Sequence, residues 1–421
     1  MSLVIIEQVS SSVEESLRRM LDFFGGLEHF TEGKKKAFIK VDSSPLKAHS
    51  STSNELVAST ISLFRDVGVG VYVMDGSPHG FLTRYAFSVT GMDKVVKRSG
   101  GKPLYLDEQI SVKLKVGDDG YEVLFPRILY NSLLKEREEN LYVSLPRLKA
   151  SRTTTISLSL KEQLNLVRYE SRVNKLNHQL HQFIVDIYRL VRPDFTVIDG
   201  LKAVTRGGVP PTKIINAFLP RLNVLIGGVD SVAVDTVGAK VLGYTLDEVK
   251  HLKLADEQGL GYGRQSKIRI VGELPKIEKN EDAPRLPEKV KVIEGRDMAC
   301  PEGCKGTTIT LLEALSTQQQ IGTPITVVYG KGINLKEVDE AKPPILVVGP
   351  CAMKETAAYF KKKHGKENVY LVEKCGHPAK TLTHLLKITG IKLQNPLNPL
   401  QTITAKLVAP IHIPTKTPPS Q

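Results

Sequence analysis

Tryptophan is absent from this 421-residue chain, aromatic residues make up only 6% of it, and no cysteine occurs before position 300. The shortage of aromatic rings removes the stacking platforms on which single-stranded nucleic acids are read. The formal net charge of +13 therefore does not by itself mark a nucleic-acid binder. Its clusters are short, as in Lys34-Lys35-Lys36 and Lys361-Lys362-Lys363, and such runs usually belong to solvated helix or loop faces. Apolar runs are short too. None approaches the roughly 20 residues that cross a bilayer, and the N-terminal MSLVIIEQVSSSVEESLRRM lacks the core of a secretory leader. The expectation is a soluble, cytoplasmic protein with neither membrane nor nucleic acid as partner. At 41% hydrophobic residues the chain has apolar surface for more than one core.

The cysteines that are present, Cys300, Cys304, Cys351 and Cys375, all fall in the last third of the chain. Soft thiolates select zinc, copper(I) or iron-sulfur clusters, and a set of four completes either a tetrahedral zinc site or a 4Fe-4S cluster. Cys300 and Cys304 lie in Ala-Cys-Pro-Glu-Gly-Cys-Lys-Gly, a turn whose backbone amides suit a net negative centre. Cys351 follows the apolar run Ile345 to Val348 and the break Gly349-Pro350, and Cys375 follows Val369 to Val372 and precedes Gly376-His377-Pro378. Both read as residues just past the carboxyl end of a buried strand, where open α/β sheets place ligands. Two disulfides or four unlinked thiols are the competing readings. The C-x3-C spacing matches no standard zinc or ferredoxin run. A 4Fe-4S cluster is favoured. Zinc is the alternative, because His377 stands two residues after Cys375 and offers a nitrogen in place of a sulfur.

Upstream, residues 37 to 75 read as a β-α-β unit. Ala37 to Val41 is a short apolar strand, Ser53-Asn54-Glu55 opens a helix carrying Leu56, Val57, Ile61 and Phe64 at helical spacing, and Val69 to Met74 is the next buried strand. Residues 104 to 160 are β-rich, with Leu141 to Pro146 as the clearest strand. A helix from about Asn174 to Leu190 follows, then strands at Phe195 to Ile198, ended by Asp199-Gly200, and at Val224 to Ile226, ended by Gly227-Gly228-Val229-Asp230. Ser231 to Leu242 reads as a helix. The fold class is α/β, with a largely parallel sheet flanked by helices and a smaller C-terminal α/β domain carrying the cysteines. The expected boundaries are a first domain over 1–272, a charged and proline-bearing linker over 273–290, the cysteine domain over 291–395, and an extended or disordered tail over 396–421.

Polar residues recur at the ends of the buried strands: Lys40 with Asp42, Asp75, Lys149, Asp199 and Asp230. In a sheet with parallel neighbours those ends share one edge and converge on one cleft. Carboxylates and lysines gathered there can act as general acids and bases or hold an anionic substrate, although an aspartate after a strand also makes an ordinary turn. Lys161 follows a run of threonines and serines, a setting that suits phosphate or carboxylate. Gly207 and Gly208, before Val209-Pro210-Pro211, form a loop whose backbone can come close to a cofactor. His178 and His181 share a helix face but lack a third ligand in sequence. No P-loop or dinucleotide fingerprint is present.

The runs VIDGLKAVTRGGVPP and VLIGGVDSVAVDTVGAKVLGYTLDEVKHLKLADEQGLG, with AFIKVDSS, VYVMDGSP and SLPRLKASRTTTISLSLKEQ, resemble the uncharacterised family catalogued as domain of unknown function number 362. The resemblance covers about residues 37 to 265. It implies an α/β fold and a redox setting, since members often carry iron-sulfur motifs, but no established reaction. Lys40, Lys149, Lys161, Asp199, Asp230 and Asp235 carry over as matched positions. Three departures stand out. Asp42 replaces the asparagine of Lys-Pro-Asn, Glu162 that of Lys-Asn, and Ser151 the histidine that closes Pro-Lys-Leu-Lys-Thr-His. The ferredoxin-like cysteine run of some relatives is also missing. Together these readings point to an iron-sulfur redox enzyme with a small anionic substrate and an electron-transfer partner. The alternative is a binding or scaffold protein with structural zinc.

Overall fold

The computed structural model describes residues 1–45, 48–209, 212–280, 286–301 and 303–392. Its strands, in chain order, are β1 (Ser2–Gln8), β2 (Lys36–Val41), β3 (Gly70–Asp75), β4 (Lys102–Tyr105), β5 (Ser111–Val116), β6 (Tyr121–Pro126), β7 (Asn140–Leu145), β8 (Arg147–Ser151), β9 (Thr155–Ile156), β10 (Phe195–Val204), β11 (Arg221–Gly228), β12 (Ile268–Val271), β13 (Val290–Glu294), β14 (Ile325–Tyr329), β15 (Ile345–Val348) and β16 (Val369–Val372). The helices that matter for the site are α1 (Val13–Asp22), α2 (Asn54–Asp66), α3 (Ser159–Glu162), α4 (Tyr169–Leu190), α5 (Ser231–Val241), α6 (Lys250–Glu257), α7 (Cys304–Gln318), α8 (Pro350–His364) and α9 (Pro378–Thr389).

Local chemistry accounts for the first unit. Ser53 accepts the Leu56 N–H through its hydroxyl and starts α2, whose Leu56, Val57, Ile61 and Phe64 are buried. Alternate residues of the flanking strands enter different cores: Phe38 and Tyr142 pack on one face of the sheet, Ile39 and Val143 on the other. Both faces are therefore covered, as a parallel sheet requires. The large sheet has ten strands in the order β12-β1-β11-β10-β7-β2-β3-β4, with β8 joined to β10 and β9 to β8. Strands β10, β7, β2, β3 and β4 run parallel. Strand β11 is antiparallel to both β10 and β1. The smaller sheet, β13-β14-β15-β16, is parallel throughout. The α/β class with a separate C-terminal sheet thus matches the sequence reading. Among the described residues no helix is long and apolar enough to cross a membrane.

Several expectations are corrected. Strand β10 does not stop at Asp199-Gly200 but runs on to Val204, because β11 continues to pair with it across a bulge between Gly200 and Lys202. A strand partner supplies hydrogen bonds that turn-forming residue types cannot veto. Helix α4 starts at Tyr169, earlier than its apolar period indicated, and is broken at Gln179. Cys304 is the first residue of α7 rather than part of a loop, and Cys351 lies in the first turn of α8. The tail over 396–421 lies outside the described residues.

A buried ion pair ties the two sheets' surroundings together. Glu313 of α7 is 1% exposed and accepts from Arg152 Nη1 at 3.1 Å, from Arg152 Nη2 at 3.0 Å and from the Val209 N–H at 3.1 Å. Breaking a buried pair from one side costs about 3–5 kcal/mol. Glu313→Ala is therefore expected to lower the unfolding free energy from denaturant titration by that order, whereas a solvated pair such as Lys113 with Glu122 should contribute under about 1 kcal/mol.

Candidate functional site

The site is built around a lysine with no access to water. Lys40, at the end of β2, is 1% exposed, and its Nζ lies 2.9 Å from Asp75 Oδ1, 3.4 Å from Glu162 Oε2 and 2.7 Å from the Val41 carbonyl oxygen. Lys149, on β8, pairs with Asp42 and lies 3.2 Å from Glu162 Oε1. Glu162 thus bridges two ammonium groups with its two oxygens. Ser157 donates to the same Oε1 at 3.0 Å. Burial alone would raise the Glu162 carboxyl, but Lys149, Lys40 and Lys161 together hold it down at about 2. Burial lowers the Lys149 ammonium to about 8, against the opposing pull of Glu162. A lysine that sheds its proton near neutrality is suited to general acid-base work.

Each partner is itself fixed. Asp75 accepts from the Ser43 N–H and hydroxyl at 3.1 and 2.6 Å, from the Gly76 N–H at 2.8 Å and from Asn165 Nδ2 at 3.0 Å. Asn165 in turn bonds Arg172, whose Nη2 also donates to the Gly76 and Ser77 carbonyls. Gly76 is required here: a Cβ would stand 2.1 Å from the Asn165 carbonyl oxygen. Asp235, on α5, accepts the Ser159 and Leu160 N–H groups at 2.9 and 2.8 Å. It therefore anchors the start of α3, which carries Lys161 and Glu162. Burial raises its carboxyl to about 8. Asp235 is a positioning residue.

Lys161 lies 3.2 Å from Ser151 Oγ and 3.4 Å from Thr153 Oγ1. With Lys149, Tyr169, Arg172 and Thr307 it lines a cavity of about 80 Å³, room for an anion of a few atoms. Behind it His251 is fully buried, with both ring nitrogens unbonded among the described residues, and burial first, then His181 and Lys161, drive its pKa well below the ordinary value. His181 stacks on His251 with ring centroids 5.8 Å apart. The side chain of His178 lies outside the described ones.

Not every candidate joins this cluster. Asp199, on β10, accepts from Arg147 Nη1 at 2.7 Å and from the Ser53 N–H at 2.6 Å. Those two partners line a different cavity. Asp230 caps α5 and accepts from Ser2 and the Tyr262 N–H. Because β11 runs antiparallel, its end is at the opposite edge from the ends of β2, β3 and β7. Gly208 serves contact between chain segments: a Cβ there would stand 2.0 Å from Arg152 Nη2, and neither Gly207 nor Gly208 lines the lysine cavity. Glu162, Asn165, Tyr169, Arg172 and Thr307 were missed. Glu162 had one pointer, its place directly after Lys161. The three departures Asp42, Glu162 and Ser151 all fall in this one cluster, on Lys149 or Lys161.

The cysteines approach one another from three chain segments. All four are free thiols. Cys304 Sγ accepts the Gly376 N–H at 3.3 Å and lies so close to Gly349 that a Cβ there would stand 2.4 Å away. Burial, then proximity to Cys375 and Cys351, pushes Cys300 up to about 11, and burial with the other three sulfurs pushes Cys304 to about 12. His377 spends Nδ1 on the Lys380 N–H, capping α9. Among the described residues no group of three or more His, Cys, Asp or Glu is drawn up in metal-ligating geometry.

The two clusters adjoin. The Gly376 carbonyl oxygen accepts from Tyr169 Oη at 2.7 Å and from Thr307 Oγ1 at 3.3 Å, both lining the lysine cavity, while its N–H donates to Cys304 Sγ.

Removing the bridging carboxylate tests the network. Glu162→Gln is expected to cost about 3–5 kcal/mol in chemical denaturation. The folded-state pKa of Glu162 lies below its ordinary 4.5, so its stabilisation is full above that value and is lost as pH falls towards 2. The variant should flatten the acid limb of the wild-type stability profile. Separately, labelling of Lys149 by an amine-directed reagent, mapped by mass spectrometry, should rise with a midpoint near pH 8.

Comparison with known proteins gives little more. The family described as Domain of unknown function (DUF362) matches residues 37–240. No curated protein matches the chain. Among solved structures, the lactate racemase apoprotein from Thermoanaerobacterium thermosaccharolyticum is similar at a TM-score of 0.38 and 10% identity, over 92% of this chain and 81% of that one. A likeness of that size carries no argument about chemistry. Residues 37–240 are therefore a DUF362 domain, a domain of unknown function.

Proposed function

We propose that the chain is an iron-sulfur redox enzyme that takes a small anionic substrate in the lysine cavity, directly beside a four-thiolate centre. The observation that carries this reading is the Gly376 peptide, which bonds Cys304 on one side and two cavity-lining hydroxyls on the other. A substrate held by Lys161 and Arg172 would thus be separated from the sulfurs by little more than one peptide unit and the Thr307 side chain.

Thiolates are the donor type a soft cation selects, and these four would have to draw together to hold one. Thiols whose pKa values are raised by burial and by each other's proximity form a site in which a cation would reverse that penalty, since metal binding deprotonates its ligands. A cluster held by Cys300, Cys304, Cys351 and Cys375 would supply one-electron transfer or a Lewis-acidic iron. The chain's own residues do the rest. Lys161 and Arg172 neutralise and orient the anion. Lys149, poised near pH 8, accepts or returns a proton while Glu162 stays ionised. Exposed Cys351 marks the side from which an electron carrier would approach.

Anaerobically purified protein is expected to be brown, with broad absorption near 400 nm and about four irons per chain, the content of a cubane cluster. Cys351→Ser should lower both iron and absorbance. A colourless chain whose metal is zinc alone would replace the redox reading with that of a structural zinc site.

A further inference from the structure

A second cavity, of about 520 Å³, shares no lining residue with the first. It opens at the N-terminus of α2 and is lined by Ser53, Asn54, Arg147, Lys202 and Arg221. Asp42 borders one cavity and Thr52 the other, and two hydrogen bonds, at 2.9 and 3.0 Å, join those residues. Its volume is in the ordinary range for a small-molecule site.

We infer that this cavity binds the phosphate group of a small phosphorylated molecule, held between Arg147, Lys202, Arg221 and the first turn of α2. Three observations converge. Arg147 is 5% exposed and its Nε has no hydrogen-bond partner among the described residues. Its Nη1 is held by Asp199 Oδ2, the same oxygen that accepts the Ser53 N–H, so the guanidinium is fixed beside the start of α2. A buried donor left unbonded carries a desolvation penalty that a bound anion removes.

Secondly, Lys202 and Arg221 sit directly opposite each other on β10 and β11, and neither has an ion-pair partner among the described residues. Like charges in that register repel. An anion between them turns the repulsion into attraction. Thirdly, α2 spans thirteen residues. Its Ser53 N–H is spent on Asp199 and its Leu56 N–H on the Ser53 hydroxyl, leaving the Asn54 and Glu55 amides without an intrahelical acceptor. Glu55 is the carboxylate among the described lining residues and is exposed. Asp199 already neutralises Arg147, so Lys202 and Arg221 supply the charge left for a ligand. Two cations match a phosphate dianion better than a single carboxylate, and a phosphate fills only part of the volume, leaving room for the molecule that carries it.

The site is independent of the lysine cavity, so the test pairs the two. Calorimetric titration with inorganic phosphate and with glycerol phosphate, in a buffer free of other polyvalent anions, should show saturable binding, with the monoester at least as tight. The Lys202→Ala/Arg221→Ala double variant alters exposed side chains and should weaken both by roughly tenfold or more. Lys161→Ala should leave both within about twofold, a difference of some 0.4 kcal/mol. Phosphate binding that survives the double variant, that is lost instead in Lys161→Ala, or that never saturates would overturn the assignment. A monoester clearly weaker than inorganic phosphate would also overturn it.

Discussion

An ammonium group sealed from water sets the terms for the site at the strand-end edge of the large sheet. Lys40 is on a strand in the middle of the large sheet, and its Nζ meets only protein atoms. An ion moved into such a place loses several kcal/mol of hydration unless charge and hydrogen bonds are returned to it. Asp75 from the neighbouring strand and Glu162 from α3 return the charge, and the Val41 carbonyl returns a hydrogen bond. Those partners are constrained in turn, Asp75 by Ser43, Gly76 and Asn165, and Glu162 by the helix that Asp235 anchors. Misplacing any of them leaves a buried charge without its complement.

The same network explains why chemistry can be seated here without exposing its groups. Glu162 stays ionised because it bridges two lysines, and Lys149 is lowered because burial outweighs the charge that faces it. One cluster therefore holds a permanent anion and a titratable base within a few ångströms. The thiol group of Cys304 reaches the rim of this cluster through a single glycine, whose left-handed backbone, at φ 49°, lets two loops touch: a Cβ on Gly376 would stand 2.9 Å from Gly303.

Much of the fold could be read in the sequence. The strand at Ala37 to Val41, the helix opened by Ser53, and the strands ending before Cys351 and Cys375 follow from period and capping, and those are local properties. Lys40 and Lys149 are readable from their places beside strand ends and Lys161 from the hydroxyl-rich run before it, although Lys149 in fact lies within β8. Their carboxylate partners were less so. Glu162 follows Lys161 with nothing local to distinguish it from a solvent-facing glutamate, and it is the anchoring of α3 by Asp235 that helps fix it inward. Asp230 had the same appearance as Asp75 in sequence. It lies at the other edge because β11 runs antiparallel, and strand direction is not written in a short apolar run.

The sequence by itself determined the α/β class, most element positions, the confinement of all thiols to the last third of the chain and the identity of the charged groups. These depend on side-chain chemistry and near-neighbour spacing. Tertiary structure alone decided which charges meet, that Gly376 joins Cys304 to two residues lining the lysine cavity, and that Arg147 and the β10–β11 cations gather at α2 instead. Each of those meetings joins residues far apart in the chain, and strand order and direction, fixed by pairing and by burial of both sheet faces, select among the many contacts that the same local pieces allow.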